Sequence, residues 1–354
     1  MILSYVTEVS RIPATRAGRL RRSNPGAPGY TRVAQDLGFT YLDAGGAPIT
    51  DQEALARIRA LAIPPAWRDV WISPDPLGHL QAVGVDAAGR HQYLYHELWR
   101  EHEDHLKFAH MERFARTLPG MRESLLARMA GGRELDRTRV LACSVRLLDV
   151  GLFRIGGDRY EREDGHLGLS TLAKRNVTIA ADGVVFDYVA KEGVRQVHTV
   201  HDPPCVEIVS ALKRRRGGGA HLLAFREAGA WRAVHAHLIN EHLKDLIGAS
   251  FSAKNFRTWN GTLLAAVSVA GNGGDAHTEP ARRRVIARAA KDVADVLGNT
   301  PAVARSSYID PRVFDRYRAG FTIASELAGI EGRLNEEQRR AEVELAVLDL
   351  LASA

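Results

Sequence analysis

The chain has few cysteines and no long apolar run among its 354 residues. Its two cysteines, Cys143 and Cys205, make no disulfide framework, and neither belongs to a Cys-x-x-Cys pair that would indicate a structural zinc site. No stretch approaches the ~18 consecutive apolar residues of a membrane-spanning helix. These absences argue against a disulfide-rich secreted protein and against a membrane partner, and they favour a reducing, cytoplasmic location.

Acidic residues are fewer than basic ones, with 42 Asp and Glu residues against 48 Lys and Arg residues, which gives a net charge of +6. Basic proteins gain affinity for nucleic acid by releasing its counterions. Many basic proteins nevertheless bind no specific anion, so charge alone does not identify the partner. The sequence also lacks a cluster of carboxylates with metal-binding spacing, and we expect neither a metal nor another cofactor.

The residue pattern changes near residue 97. Residues 1–35 are basic and rich in Gly, Pro and Ser, which predicts a short helix and a loop. Short β-branched and aromatic segments separated by turns follow over 36–95, with a helix near 51–61. We therefore predict an α+β fold with a small β-rich N-terminal domain, 1–96, and a larger, mainly helical domain, 97–354.

Helical spacing dominates the second part, but a three-stranded antiparallel meander is predicted over 177–200. The first helix is predicted to stop at Pro119-Gly120, because proline removes a helical hydrogen bond. Further helices are predicted near 121–130, 136–150, 229–247, 252–270, 278–297 and 335–352.

Four segments carry residues suited to chemistry on a phosphate. They are Gly151-Leu-Phe-Arg154-Ile-Gly-Gly-Asp-Arg-Tyr160, the turn Ala190-Lys191-Glu192-Gly193, Lys254-Asn-Phe-Arg257-Thr-Trp-Asn-Gly-Thr262 and Asn299-Thr-Pro-Ala-Val-Ala-Arg-Ser-Ser-Tyr308. The first follows a predicted helix, and the third opens a helix capped by Ser252.

These segments resemble the active-site motifs of type IB DNA topoisomerases, in particular the compact bacterial and poxvirus branch. The similarity extends to Gly168-Leu-Ser-Thr-Leu-Ala-Lys-Arg175 and to Gln92-Tyr93-Leu-Tyr95. One motif alone would be a weak signal, whereas four in the family order and at similar spacing are specific. The resemblance implies a clamp in which the N-terminal domain closes over DNA against the helical domain.

The resemblance also implies the catalytic roles. Tyr308 would attack a DNA phosphorus, forming a 3′-phosphotyrosyl bond and releasing a 5′-hydroxyl. Arg154 and Arg257 match the arginines that stabilise charge on the nonbridging oxygens. Lys191 matches the general acid that protonates the leaving oxygen, a role that Arg154 could share.

Asn299 departs from the family pattern, because most relatives carry histidine at this position. An amide can still donate a hydrogen bond to a nonbridging oxygen, but it cannot carry positive charge. We therefore keep Asn299 in the predicted catalytic site, and we expect that losing a charge-assisted contact could slow the reaction.

Other positions resemble DNA contacts of the family. Gln92, Tyr93 and Tyr95 lie on a predicted strand that in the family approaches the major groove. Tyr160 closely follows the Arg154 motif, and Lys254 precedes Arg257 by one helical turn.

The sequence thus predicts an enzyme that relaxes supercoiled double-stranded DNA without ATP or metal, acting as a monomer in the bacterial cytoplasm at the nucleoid. The alternatives are a tyrosine site-specific recombinase, which uses a similar Arg, Lys, Arg and Tyr set, and a noncatalytic DNA-binding relative. Recombinases generally carry His-x-x-Arg, whereas Lys254 stands three residues before Arg257. The basic run Lys213–Arg216 is equally compatible with a phosphate-binding loop and with a solvated surface.

Overall fold

A computed structural model describes residues 20–36, 38–132, 134–157, 165–274, 276–330 and 335–352. The chain divides into two compact units, with the boundary between Ala109 and His110. Within the described ranges, every helix is too short or too polar to cross a membrane. The fold is α+β, as predicted.

Among the described residues before 97, the elements of the first unit are β1 (Tyr30–Gln35), β2 (Gly38–Leu42), α1 (Gln52–Ala60), β3 (Arg68–Ile72), β4 (Leu80–Val85) and β5 (His91–Tyr95). The five strands form one antiparallel sheet in the order β2-β1-β3-β4-β5. Asp51 caps α1 by accepting hydrogen bonds from two backbone N–H groups of its first turn. Ile58 of α1 then packs with Val70, Ile72 and Ala82 of the sheet to form a small core.

A helix and a loop were predicted over 1–35. Residues 1–19 lie outside the described residues, and Tyr30–Gln35 form strand β1, which corrects the prediction there. Its register with β2 runs from Thr31 opposite Leu42 to Gln35 opposite Gly38. Most of its side chains are exposed, so it lacks the clear apolar alternation that marks a half-buried strand. Strand β1 is stabilised by backbone hydrogen bonds to its neighbours β2 and β3, which its own sequence pattern does not indicate.

The second unit is mainly helical and includes the larger part of the long helix α2 (Glu97–Ala130). The other helices are α3 (Arg137–Gly151), α4 (Pro203–Arg214), α5 (Ala236–Ile247), α6 (Ala253–Asn272), α7 (Glu279–Leu297), α8 (Pro301–Ser307), α9 (Pro311–Arg318), α10 (Ala324–Ile330) and α11 (Glu336–Ala352). Helix α3 lies deepest, since nearly all its side chains are buried.

Helix α2 continues through Pro119, so the predicted stop at Pro119-Gly120 was wrong. Phe114 and Leu118 before the proline are fully buried, and so are Met121 and Leu125 beyond it. Burying this apolar face on both sides of the proline offsets the hydrogen bond that the proline removes.

The predicted meander is confirmed as β6 (Val177–Ile179), β7 (Val184–Val189) and β8 (Arg195–Val200). The predicted helix over 229–247 was wrong at its start, because β9 (Ala224–Glu227) and β10 (Ala230–Ala233) form a hairpin there. Ala228 and Gly229 in its turn both have positive φ, which matches the twist of a two-residue hairpin loop. The helix begins only at Ala236.

Helices α4, α8 and α9 were absent from the prediction, although each begins with a clear signal. A capping residue precedes a proline in all three, namely Asp202, Thr300 and Asp310. Each capping side chain accepts a backbone hydrogen bond from the first turn, and proline is well tolerated there. The three helices are short, at 12, 7 and 8 residues, respectively.

A buried network of charges joins α2, α3 and α11. Arg122 donates to both carboxylate oxygens of Asp149 and to both of Glu344, at 2.7 to 3.1 Å. Arg146 donates to Asp149 and to Asp202, and Arg340 donates to Asp149 and to Glu344. Three arginines therefore face three carboxylates, so the network can be electrically balanced in the interior.

Candidate active site

Arg154 lies in the segment that follows α3. Leu152, directly after the helix, has a left-handed backbone with φ of 58°, which turns the chain away from the helix axis. The backbone oxygen of Arg154 then accepts from the N–H of Leu169 at 2.8 Å. A Cβ on Gly168 would lie 2.5 Å from Cα of Gly156, so the two backbones approach as closely as only glycines allow. The Gly168 motif thus holds the Arg154 segment in place.

The guanidinium of Arg154 contacts the residues at the end of α7. Its Nη2 donates to the backbone oxygen of Gly298 at 2.8 Å and to Oδ1 of Asn299 at 2.7 Å. Gly298 has φ of 60°, and a Cβ there would collide with the Gln196 side chain, so this turn requires glycine. With Oδ1 of Asn299 engaged, its Nδ2 is buried and has no partner among the described residues.

Arg257 lies in the second turn of α6 and is held by two carbonyl groups. Its Nη1 donates to Leu152 and its Nη2 to Leu297, both at 2.7 Å. Its Nε is buried without a partner in the described part of the chain. Burial lowers the pKa of Arg257, the charge of Arg154 lowers this pKa further, and the phenol of Tyr308 opposes both. An arginine stays charged despite such a shift, so two cations lie close together in this region.

Tyr308 directly follows α8 and packs against Arg257. The Cζ atom of Arg257 lies 5.3 Å from the centre of the Tyr308 ring. Gly261 of α6 allows this arrangement, because a Cβ there would lie 2.7 Å from the backbone oxygen of Tyr308. The structure thus brings Arg154, Arg257, Asn299 and Tyr308 together in one cluster.

Lys191 lies on the turn between β7 and β8 and is exposed. Its Nζ is 3.7 Å from Oε1 of Glu192, and Glu192 and Gly193 have the left-handed backbone of a tight turn. The described contacts do not link Lys191 to the other four predicted catalytic residues. Its predicted role therefore requires the lysine to reach a bound substrate from this turn.

Comparison with known proteins places the chain in a family. Residues 96–326 match the profile of the eukaryotic DNA topoisomerase I catalytic core, and residues 38–86 match that of the bacterial DNA topoisomerase IB N-terminal domain. The chain belongs to the type IB DNA topoisomerases. It is therefore an isomerase whose substrate is DNA, and the predicted resemblance is confirmed.

Viral relatives agree with this assignment. DNA topoisomerase 1B of Acanthamoeba polyphaga mimivirus is 26% identical to this topoisomerase over 296 residues, which cover 82% of this chain and 87% of the viral protein. DNA topoisomerase I of monkeypox virus is 22% identical over 246 residues, covering 68% of this chain and 73% of its own. DNA topoisomerase 1B of vaccinia virus (strain Copenhagen) is 22% identical over 244 residues, with the same coverage.

Two further residues of this topoisomerase, Tyr188 and His198, lie near the site arginines and were missed in the sequence. Burial raises the pKa of Tyr188 to about 12, although the charges of Arg257 and Arg154 oppose that rise. Burial lowers the pKa of His198 to about 4, and the same two arginines lower it further. His198 is therefore neutral near pH 7 and adds no third positive charge beside them. Tyr188 and His198 alternate with exposed residues along β7 and β8, and this pattern could have predicted that they are at least partly buried. It could not have predicted that they lie near Arg154.

The residues of the topoisomerase that were predicted to contact DNA differ in their exposure and in their hydrogen bonds. Tyr93 and Tyr95 are exposed on β5 with their rings stacked 6.3 Å apart. Gln92 instead donates to Oδ2 of Asp86 at 2.9 Å. Lys254 is exposed, whereas Arg257 one turn later is buried. Tyr160 lies outside the described residues.

The basic run of the topoisomerase, Lys213–Arg216, is partly structural. Arg215 is buried and donates to four backbone carbonyl groups, including those of Leu212 and Leu222 at 2.8 and 2.6 Å. Nζ of Lys213 donates to the backbone oxygens of Lys174 and Val177. Arg214 and Arg216 are exposed. Two of the four cations thus hold a loop together, an outcome that neither interpretation of the sequence included.

Proposed function

We propose that this topoisomerase relaxes supercoiled DNA by cutting one strand through Tyr308, allowing rotation and resealing the strand. The phenol gives up its proton to water as its oxygen attacks the phosphorus, the bond from phosphorus to the 5′-oxygen breaks, and a 3′-phosphotyrosyl bond forms. Lys191 gives a proton to the departing 5′-oxygen. In resealing, the 5′-hydroxyl returns that proton to Lys191 as it attacks the same phosphorus, and the tyrosine oxygen takes up a proton from water as it leaves.

The contact between Arg257 and the Tyr308 ring is the observation that carries this proposal. An attacking tyrosine oxygen would have a guanidinium beside it, so charge on the phosphoryl oxygens would form next to a fixed cation. Arg154 brings a second cation through its contact with Asn299. Two buried donors, Nε of Arg257 and Nδ2 of Asn299, have no partner among the described residues, and we propose that they bind oxygens of the substrate phosphate.

In this site the amide of Asn299 offers an acceptor and a donor on separate atoms. Its Oδ1 accepts from Arg154 while its Nδ2 remains available as a donor. A protonated histidine could donate but could not accept from Arg154. We propose that Asn299 orients Arg154 and contacts a nonbridging oxygen, which supports a catalytic protein over a noncatalytic relative.

The same chemistry supports the remaining parts of the proposal. One phosphodiester is exchanged for another, so the bond energy is conserved and no ATP is needed. The positive charge comes from the protein, so we propose a reaction that is independent of added metal. One chain supplies the whole cluster, which supports a monomer, and a DNA substrate supports a cytoplasmic site of action at the nucleoid. We propose that Tyr93, Tyr95, Gln92, Tyr160 and Lys254 contact the duplex.

The test is relaxation of a negatively supercoiled plasmid in EDTA without ATP, with SDS added to trap covalent complexes. We expect relaxed topoisomers and a protein linked to the 3′ side of the break. Tight plasmid binding without relaxation or trapped protein would contradict the mechanism and favour a noncatalytic relative. Cleavage confined to paired specific sites would favour a recombinase.

Gly261→Ala is expected to slow strand cleavage strongly. Alanine normally stabilises a helix relative to glycine by about 0.5–1 kcal/mol. Here the added methyl group would lie 2.7 Å from the backbone oxygen of Tyr308 and 3.1 Å from its Cβ. The nucleophile must therefore shift, and a displacement of about 1 Å can cost a factor of about 100 in rate. Single-turnover cleavage of an oligonucleotide duplex measures the effect.

Gly271→Ala in the same helix is the matched control, since a Cβ there meets nothing within 4 Å. We expect this variant to cleave at the wild-type rate. Equal rates for the two alanine variants would show that the approach of Gly261 to Tyr308 is unimportant for the reaction.

A further inference from the structure

Arg340 of α11 contacts both α3, the helix that precedes Arg154, and α6, the helix that holds Arg257. Its Nη2 donates to Asp149 of α3, to Oδ1 at 2.6 Å and to the backbone oxygen at 3.0 Å. The same nitrogen lies 3.3 Å from Oδ1 of Asn260 on α6. Its Nε donates to Glu344 at 3.3 Å. One guanidinium thus contacts α3, α6 and its own helix.

Both contacts fall within a few residues of the candidate active site. Asp149 precedes Arg154 by five residues, and the backbone oxygen of Leu152 between them accepts from Arg257. Asn260 follows Arg257 by three residues and adjoins Gly261, whose Cα faces the backbone of Tyr308. A movement at Arg340 would therefore reach both arginines and the nucleophile through short, hydrogen-bonded stretches of chain.

We propose that Arg340 is a positioning residue for strand cleavage, holding α3 and α6 at the separation that places Arg154 and Arg257 around the same phosphate. This inference rests on the proposed roles of Tyr308, Arg154 and Arg257. It assigns a catalytic consequence to α11, which contributes none of the residues in the cluster itself.

The surroundings of Arg340 make this link stiff. Asp149 is fully buried and Glu344 nearly so, and both also bind Arg122. A planar guanidinium with several donors fixes distances and angles together, which a single ammonium cannot do. A side chain unable to span Asp149 and Asn260 would leave Oδ1 of the buried Asn260 without its donor, and the two helices would be free to shift.

The experiment compares Arg340→Gln and Arg340→Lys with Arg339→Gln, a control on the exposed side of the same helix. Three quantities are measured for each protein well below its melting temperature. They are the dissociation constant for noncovalent binding to a nicked duplex, the single-turnover cleavage rate and the thermal midpoint. Wild-type cleavage with a trapped adduct is established first, so a failure of the proposed function appears before any variant is compared.

For Arg340→Gln we expect cleavage slowed by about 10- to 100-fold, with DNA affinity unchanged within about threefold. The cleavage rate of Arg340→Lys should lie between those of Arg340→Gln and wild type, because lysine keeps the positive charge but lacks the planar guanidinium with its several donors. Arg339→Gln should match wild type. A lowered midpoint combined with wild-type cleavage by the folded protein would overturn the proposal. If Arg340→Gln does not fold, wild-type cleavage by a folded Arg340→Lys protein would overturn it equally.

Discussion

Tyr308→Phe is expected to abolish both plasmid relaxation and the trapped covalent complex while leaving DNA binding intact. The substitution removes only the phenolic oxygen, so the ring still packs against Arg257, and the backbone contact with Gly261 is unchanged. Without a nucleophile, the arginines have no reacting oxygen to act upon. By analogy with removal of other enzymatic nucleophiles, we expect a loss of about 10⁴-fold or more.

Tyr317→Phe provides the matched control. Tyr317 is buried in the helical unit, and within the described residues its hydroxyl donates one hydrogen bond, at 3.5 Å, to the backbone oxygen of Gly273. This variant should relax plasmid at the wild-type rate. Residual relaxation by Tyr308→Phe above that of a mock preparation would mean that another residue supplies the nucleophile.

Asp149→Asn is expected to destabilise the protein more than any surface change. Asp149 is fully buried and accepts from Arg122, Arg146 and Arg340. Removing its charge leaves three arginines, of which Arg122 and Arg146 are buried, opposite two carboxylates. Breaking a buried ion pair typically costs about 3–5 kcal/mol. Urea denaturation followed by circular dichroism gives the change in the free energy of unfolding.

Glu279→Gln is the control for this prediction, because the pair Arg283–Glu279 is exposed on α7. Exposed pairs contribute at most about 1 kcal/mol. A loss of stability in Asp149→Asn no larger than that of Glu279→Gln would show that the buried network is energetically unimportant.

The difference in the free energy of unfolding between wild type and Asp149→Asn should change with pH in a definite direction. Burial alone would raise the pKa of Asp149, but the charges of Arg340, Arg122 and Arg146 hold it at about 2, below the ordinary value of 3.8. A carboxylate with a depressed pKa stabilises the folded state at pH values above its unfolded pKa. That contribution declines as the pH falls from about 4 towards about 2. The gap in stability between wild type and Asp149→Asn should therefore narrow over that window.

Much of the fold followed from local signals. Strands β2 to β5, the meander β6 to β8 and helices such as α3 and α6 have strong periodicity and clear ends. Predictions failed where a neighbour overrode the local preference. Pro119 is carried through α2 by burial on both sides, and β1 gains its hydrogen bonds from β2 and β3. A local sequence pattern cannot predict these stabilising contacts, because they come from residues distant in the chain.

The amino-acid sequence by itself determined which residues are available for chemistry, since Arg154, Lys191, Arg257, Asn299 and Tyr308 stand in recognisable motifs, and the family follows from them. Only the tertiary structure decided how they meet. It joined Arg154 to Asn299, set Arg257 against Tyr308, and brought Arg340 to the helices behind them. These contacts join residues tens to nearly two hundred positions apart. Contacts between residues so far apart in the sequence are set by the packing of whole helices around a buried core, and no local stretch of chain determines that packing.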